Sequence, residues 1–418
     1  MTAALQWLRS RADVFARGPG AAGALIQGAN FLSLAAQGFV VPRLLGARDY
    51  GVALQILTPV WLVHGVLETL LVTLTIDWAH APADRSRTQL LWRDAALFTA
   101  LAGLVVGSYG FAVLTRESSQ SFGSIALAVL LLGALVANAV GLAIAYSVGA
   151  IRIIWLSYLL TAVMVPAGVF ALRPLGALGF VAALVVNQVL IVACLLGIPE
   201  IRAFVIEVGR SNTSGTSRGR WGTYLAVLSP RAVQILLTSG VMLIGTWTLP
   251  AVDLATLKVS LSLIGAGANA SPISAPLLLA ALKRDALHAS RRARGARALI
   301  LSAAFGIVAS AALVRWGGQV RAYFLRGEAP VQTPFDVMFI GLPCFVLIGP
   351  LSAYLVATGR TRALRWSAAA AFAGVLVPSA FGKLALGFDV GAALFVGSCL
   401  LALLHRSEKT SARSLRRR

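Results

Sequence analysis

Charge is what this chain is short of. Only 12% of its 418 residues are charged, against about 25% in a soluble domain, which needs them to keep its surface wet. Acids are scarcer still: 15 Asp and Glu stand against 36 Lys and Arg, a formal net charge of +21. Cysteine is nearly missing, and Cys194, Cys344 and Cys399 each lie inside an apolar run, so a disulfide framework is excluded and buried thiols are expected. No metal site is expected: His64 and Glu68 sit one turn apart without a third or fourth ligand. No nucleotide-binding motif appears either, since "GAGANA" at 265–270 imitates a dinucleotide fingerprint inside a long apolar run rather than after a strand. The opening "MTAALQWLRSRADVFARGPG" carries no cleavable signal pattern, so its first hydrophobic segment is read as retained.

What fills the chain is hydrocarbon: 58% hydrophobic residues and a mean hydropathy of +0.83. The basic excess sits in short blocks between apolar runs, without interleaved aromatics, which suits anionic headgroups and not nucleic acid. A helical span takes about 20 apolar residues. On that rule about twelve spans are expected, near 21–42, 51–78, 95–115, 123–148, 154–172, 177–199, 222–248, 254–282, 298–316, 336–357, 366–386 and 388–404. With both termini cytoplasmic, the basic blocks "HAPADRSRTQLLWRD", "KRDALHASRRARGAR", "GRTRALR" and "HRSEKTSARSLRRR" all fall inside, as the positive-inside rule demands. The fold class expected is therefore an all-α integral membrane protein.

The halves echo each other. "AYSVGAIRIIWLSYLLTAVMVP" (145–166) parallels "AYLVATGRTRALRWSAAAAFAGVLVP" (353–378), and six spans per half in one orientation imply a parallel repeat. The expected organisation is a six-helix lobe at 1–200, a cytoplasmic Gly/Ser-rich linker at 201–221, a second six-helix lobe at 222–404 and a basic tail at 405–418.

Polar side chains inside such spans tend to face a cavity or a partner. Asn30, Ser33 and Gln37 share one face of the first span, His64, Glu68 and Thr75 one face of the second, and Arg231, Gln234 and Thr238 one face of the seventh. In the eighth, Lys258, Ser262, Gly265 and Asn269 fall almost in line. The last two spans of each half look nearly bare. An aqueous cleft walled by spans one, two, seven and eight is expected, with Asn30, Gln37, Arg43, Arg231, Gln234, Lys258 and Asn269 as substrate contacts. Arg231, roughly 10–15 Å deep along its helix, either clamps a phosphate through its planar fork or pairs with Glu68 or a helix end. Glu68 with His64 either couples transport to H+ or Na+ or forms a structural hydrogen bond. Lys258 either snorkels to the outer mouth or meets substrate. Gly103 and Gly107 form a small-xxx-small pair that reads as helix packing. No bound cofactor is expected.

The turn of the first hairpin, Leu45-Gly46-Ala47-Arg48-Asp49-Tyr50-Gly51, resembles that of bacterial oligosaccharide flippases of the Wzx type, and "LVATGRTRALRW" (355–366) resembles the turn after their tenth span. The likeness implies membership of the superfamily that holds lipid II flippases and MATE multidrug exporters (the MOP superfamily). It implies two pseudo-symmetric six-helix lobes in a V that opens alternately to either side. It further implies a cationic cavity for the diphosphate and sugars of a polyprenyl-linked oligosaccharide, for O-antigen, capsule or exopolysaccharide synthesis. By the same likeness Arg43 and Asp49 correspond to an Arg and an Asp that flank this turn on the lipid II branch, at a looser spacing. The implied partners are that lipid-linked oligosaccharide, membrane lipids and a polysaccharide polymerase or export machinery, in the bacterial cytoplasmic membrane, with the monomer as working unit and no enzymatic activity.

Two rivals remain on the sequence. A drug/cation antiporter of the same architecture wants a more acidic cavity than Arg231, Lys258 and a single Glu68 provide. An integral-membrane glycosyltransferase or polymerase wants an acidic pair or a sizeable outer loop, and the largest outer loop expected, about 317–335, holds one acid, Glu328.

Overall fold

The computed structural model describes residues 28–80, 100–109, 112, 122–147, 150–210, 232–269, 271, 278, 282 and 288–415. Every described element is helical. In chain order these are α1 (28–45), α2 (Ala47–His80), α3 (Ala100–Tyr109), α4 (Phe122–Ser147), α5 (Ile151–Ala171), α6 (Ala177–Leu195), α7 (Pro199–Arg210), α8 (Ala232–Thr248), α9 (Ala251–Asn269), α10 (His288–Phe324), α11 (Leu342–Ala357), α12 (Thr361–Ala380) and α13 (Leu384–Leu415). A 3₁₀ segment, Pro334–Phe339, leads into α11. Each of the twelve expected spans thus has a described helix, and 9 of these are long and apolar enough to cross a membrane. The chain is a multi-pass membrane protein.

Several boundaries differ from the expectation. The described helix of the eighth span runs to Asn269, and of the rest of its expected range only Ser271, Leu278 and Leu282 are described, the last two helical. The ninth begins ten residues earlier and runs on to Phe324, drawing Arg321 out of the expected outer loop and into a helix. The first half of the expected linker is helix α7, where Ile201 is buried, as is Ile198 just before it, while Glu200 and Arg202 are exposed. The rest of that linker lies outside the described residues.

The described chain divides into two compact units, one drawn from 1–45 and 71–216, the other from 46–70 and 217–418. The first part of α2, residues 47–70, is therefore counted with the second half of the sequence.

In the first unit, α4, α5 and α6 pack around buried amides. Asn138 donates to Gln188 (2.7 Å) and Asn187 donates to Thr161 (3.1 Å), whose hydroxyl in turn donates to the Ser157 carbonyl (3.0 Å). Spans five and six are accordingly not bare: they carry a polar ladder that needs its neighbours, since an unpaired amide in hydrocarbon costs several kcal/mol. Asn187→Leu should lower stability by about 0.5–1.5 kcal/mol, the range for interhelical hydrogen bonds in membranes, read as a thermal midpoint in detergent. At Gly103 and Gly107 a Cβ would meet nothing within 4 Å among the described residues.

Local structure repeats between the halves. α1 carries a π-helical segment at Ala36–Val40, and α8 carries one at Leu236–Gly240. Each is followed within ten residues by a tight turn into the next span, at Gly46 (φ 88°) and at Leu249–Pro250. The turns before α5 and α12 match as well, with Trp155 and Trp366 in the second turns of those helices and Pro166 and Pro378 further inside them.

Candidate functional site

Polar residues of the stripes lie in or just before the two π-helical segments and on the helices that follow them. A π turn adds one residue to the turn and leaves backbone groups out of the regular ladder, which is why such turns recur at functional sites. Gln37 lies within the first π segment and Thr238 within the second. Thr238 donates its hydroxyl back to the Gln234 carbonyl at 2.8 Å. In sequence, Asn30, Ser33 and Gln37 are each matched 201 residues later by Arg231, Gln234 and Thr238, so the stripe of the first span and that of the seventh are the same feature of the repeat.

Of the expected contacts in the first unit, Asn30 and Gln37 are half-buried and Arg43 is exposed, in the last turn of α1. Arg231 lies outside the described residues. The second unit holds the others. His64 and Glu68 are half-buried on α2, Gln234 half-buried on α8 and Lys258 half-buried on α9, while Asn269 is exposed at the last residue of α9. At 1.5 Å per residue Asn269 stands about 16 Å along the helix from Lys258, so these two do not form one contact point.

Close approaches fix how α2 runs against its neighbours in this unit. Gly51 lies so near the Ala251 carbonyl that a Cβ would overlap it. Ten residues on, the Trp61 ring lies under the Lys258 ammonium, 4.8 Å from its centroid. One further turn along, a Cβ at Gly65 would stand 3.2 Å from the Ile235 side chain, next to Gln234. Trp61, His64, Gly65 and Glu68 occupy one helical face. The structure thus places Lys258 against Trp61, which sequence reasoning missed, and His64 and Glu68 share the helical face of Trp61. A cation over an indole is attracted by the ring's quadrupole, by about 0.5–2 kcal/mol depending on desolvation. That contact draws the Lys258 ammonium toward the Trp61 side of α2.

Two more charged groups escaped the sequence reading. Arg321, in the last turn of α10, is 0% exposed. It pairs with Asp336 of the 3₁₀ segment and donates to Ser260 Oγ of α9 (3.1 Å) and to the Val331 carbonyl (2.8 Å). Asp389 stands on α13, half-buried, with Oδ1 buried against Gly341. The last span is thus not bare either. Among the described residues no group of three His, Cys, Asp or Glu is placed to hold a metal ion.

No family model matches the sequence, and no curated protein does. Solved structures do. The lipid II flippase MurJ in an inward closed conformation superposes with a TM-score of 0.63 at 12% identity, over 91% of this chain and 87% of that one. A multidrug resistance MATE family transporter of the MOP superfamily, facing inward, gives 0.58 at 15% identity, over 92% and 95%. A MATE transporter in complex with MaL6 gives 0.56 at 13% identity, over 95% and 98%. At these identities the likeness shows the fold: the described residues share the all-helical architecture of these proteins.

Proposed function

We propose that this chain is a flippase that moves a polyprenyl-diphosphate-linked oligosaccharide across the bacterial cytoplasmic membrane by alternating access, with both termini cytoplasmic and the monomer as the working unit. The observation that carries the reading is Lys258, a cation within a membrane span, lying over the Trp61 ring of α2, whose same face carries His64. An ammonium and amide donors suit a diphosphate. A diphosphate crossing bare hydrocarbon would face a barrier of many kcal/mol from lost hydration. Fixed donors along a wet path replace that hydration, and rocking of two packed halves changes the open side without bringing the charge into lipid. In this reading Arg231, at the repeat position of Asn30, supplies the second cation, and Asn30, Gln37, Arg43 and Asn269 extend the polar path. Glu68 and His64 tie the cycle to H+ or Na+. The product of the cycle feeds a polysaccharide polymerase or export machinery.

The MATE likeness keeps a drug/cation antiporter as the second reading, because the same fold carries multidrug resistance transporters. The neighbours' transport activities do not favour the glycosyltransferase alternative.

Complementation tests the proposal. A bacterium lacking its own oligosaccharide flippase should regain surface polysaccharide on expressing this chain. Arg231→Ala and Lys258→Met should each lower that recovery at least tenfold, the loss of one charge-assisted contact to phosphate. Glu68→Gln should abolish dependence of the rate on the proton or sodium gradient. Full recovery in both Arg231→Ala and Lys258→Met would remove the cationic path, and an unchanged ion dependence in Glu68→Gln would remove that residue from coupling.

A further inference from the structure

The turn that joins α1 to α2 is held from a distance. Gly46 accepts the first backbone hydrogen bond of α2, from Tyr50 (3.2 Å), and so serves as its N-cap. The amide of Ala47 that follows has no partner within the helix, as for any residue of a first turn. It donates instead to Glu328 Oε2 at 2.7 Å, 281 residues away in sequence. Glu328 Oε1 lies so close that a Cβ on Gly46 would stand 2.8 Å from it, which together with the φ of 88° restricts position 46 to glycine. A carboxylate at a helix N-terminus is favoured by both the free amides and the helix dipole.

The segment that presents Glu328 is built for it. α10 ends in two successive left-handed residues, Arg326 (φ 55°) and Gly327 (φ 76°). Arg326 is the one non-glycine residue with positive φ in the described chain, and such backbone persists only where its surroundings over-determine it. Here they do: the Gly327 amide donates to the Ala322 carbonyl (2.8 Å) and the Glu328 amide to the Leu325 carbonyl (2.9 Å). On the far side, the fully buried Arg321 ties down the strap through the Val331 carbonyl and Asp336, and Asp336 accepts the Thr333 amide at 2.9 Å. Residues 325–336 thus form a rigid strap between α10 and α11, with one exposed carboxylate aimed at the start of α2.

We propose that Glu328 is a latch: it clamps the Gly46 end of α2 onto the second half of the chain, and this end of the seam opens only when the carboxylate leaves the Ala47 amide. The inference rests on the alternating-access reading for its role in transport, but the clamp itself does not. Glu328 acts through the helix terminus, as a positioning residue, and needs no contact with substrate. Its exposure leaves it within reach of water, so the contact can break without stranding a buried charge.

Hydrogen exchange with mass spectrometry on the full-length protein in lipid nanodiscs tests the latch. Glu328→Ala should raise exchange in a peptide spanning 46–54 about tenfold, the factor expected for loss of one charge-assisted hydrogen bond. The peptides of α4 to α6 should be unchanged. Glu328→Gln keeps an acceptor oxygen and loses the charge, so it should fall between wild type and Glu328→Ala while leaving the strap folded. Equal exchange at 46–54 in all three proteins would overturn the latch. A graded rise in a protein that moves no lipid-linked saccharide would uphold the latch and discard the transport reading.

Discussion

Asp336→Ala should destabilise the second unit by about 3–5 kcal/mol, the cost of leaving a buried charge without its partner. Arg321→Met should cost distinctly less, although both substitutions break the same ion pair. The asymmetry follows from where each charge would be left. Arg321 is wholly buried, whereas the Asp336 side chain keeps 29% of its surface exposed. Without Asp336 the guanidinium is stranded among α9, α10 and the strap, retaining Ser260 and the Val331 carbonyl but no counter-charge. Without Arg321 the carboxylate turns to water and still caps the Thr333 amide. Methionine meanwhile fills much of the vacated volume. Thermal midpoints of the two variants in one detergent would rank them, and equal losses would show that the pair is solvated from both sides.

Gly51→Ala should weaken the seam between α2 and α9 by about 1–3 kcal/mol, as overpacking does when the obstacle cannot yield. The obstacle is the backbone carbonyl of Ala251, not the tip of a flexible side chain. Gly133→Ala supplies the internal comparison. It too lies in a long helix, but its Cβ would meet nothing within 4 Å, so the substitution should be neutral or stabilising by up to about 1 kcal/mol through helix propensity. Because Gly51 lies ten residues from Trp61 on the same helix, Gly51→Ala should also draw Trp61 away from Lys258. A Lys258→Met substitution would then cost less in the Gly51→Ala background than alone. Additive losses would place the two contacts in independent parts of the structure.

The helices were legible because lipid imposes a single rule: a run long enough to span must satisfy its own backbone. The stripes on spans one, two, seven and eight were legible from helical spacing for the same reason, since polar residues in such a run stand out. What could not be read is what joins positions far apart. Lys258 reads as a charge free to snorkel until Trp61, nearly 200 residues away, is placed beneath it. Arg321 reads as an outer-loop residue because its helix outlasts its apolar run, and its partners come from α9 and from the strap. The π segments shift the helical register by a single residue, too little for periodicity to register, although matching polar triplets in both halves were a usable signal. Asp389 and the Asn138–Gln188 bond do not stand out in the sequence, because a single polar residue in spans four, six and twelve is outnumbered by its apolar neighbours.

Reconstitution tests the central claim most directly. Purified protein in liposomes carrying a fluorescent polyprenyl-diphosphate oligosaccharide in one leaflet should render the labelled headgroup accessible from the other side. Arg231→Ala should slow that transfer, and a cationic dye should neither move nor compete. Transfer of the dye, with the lipid-linked saccharide left in its original leaflet, would contradict the account.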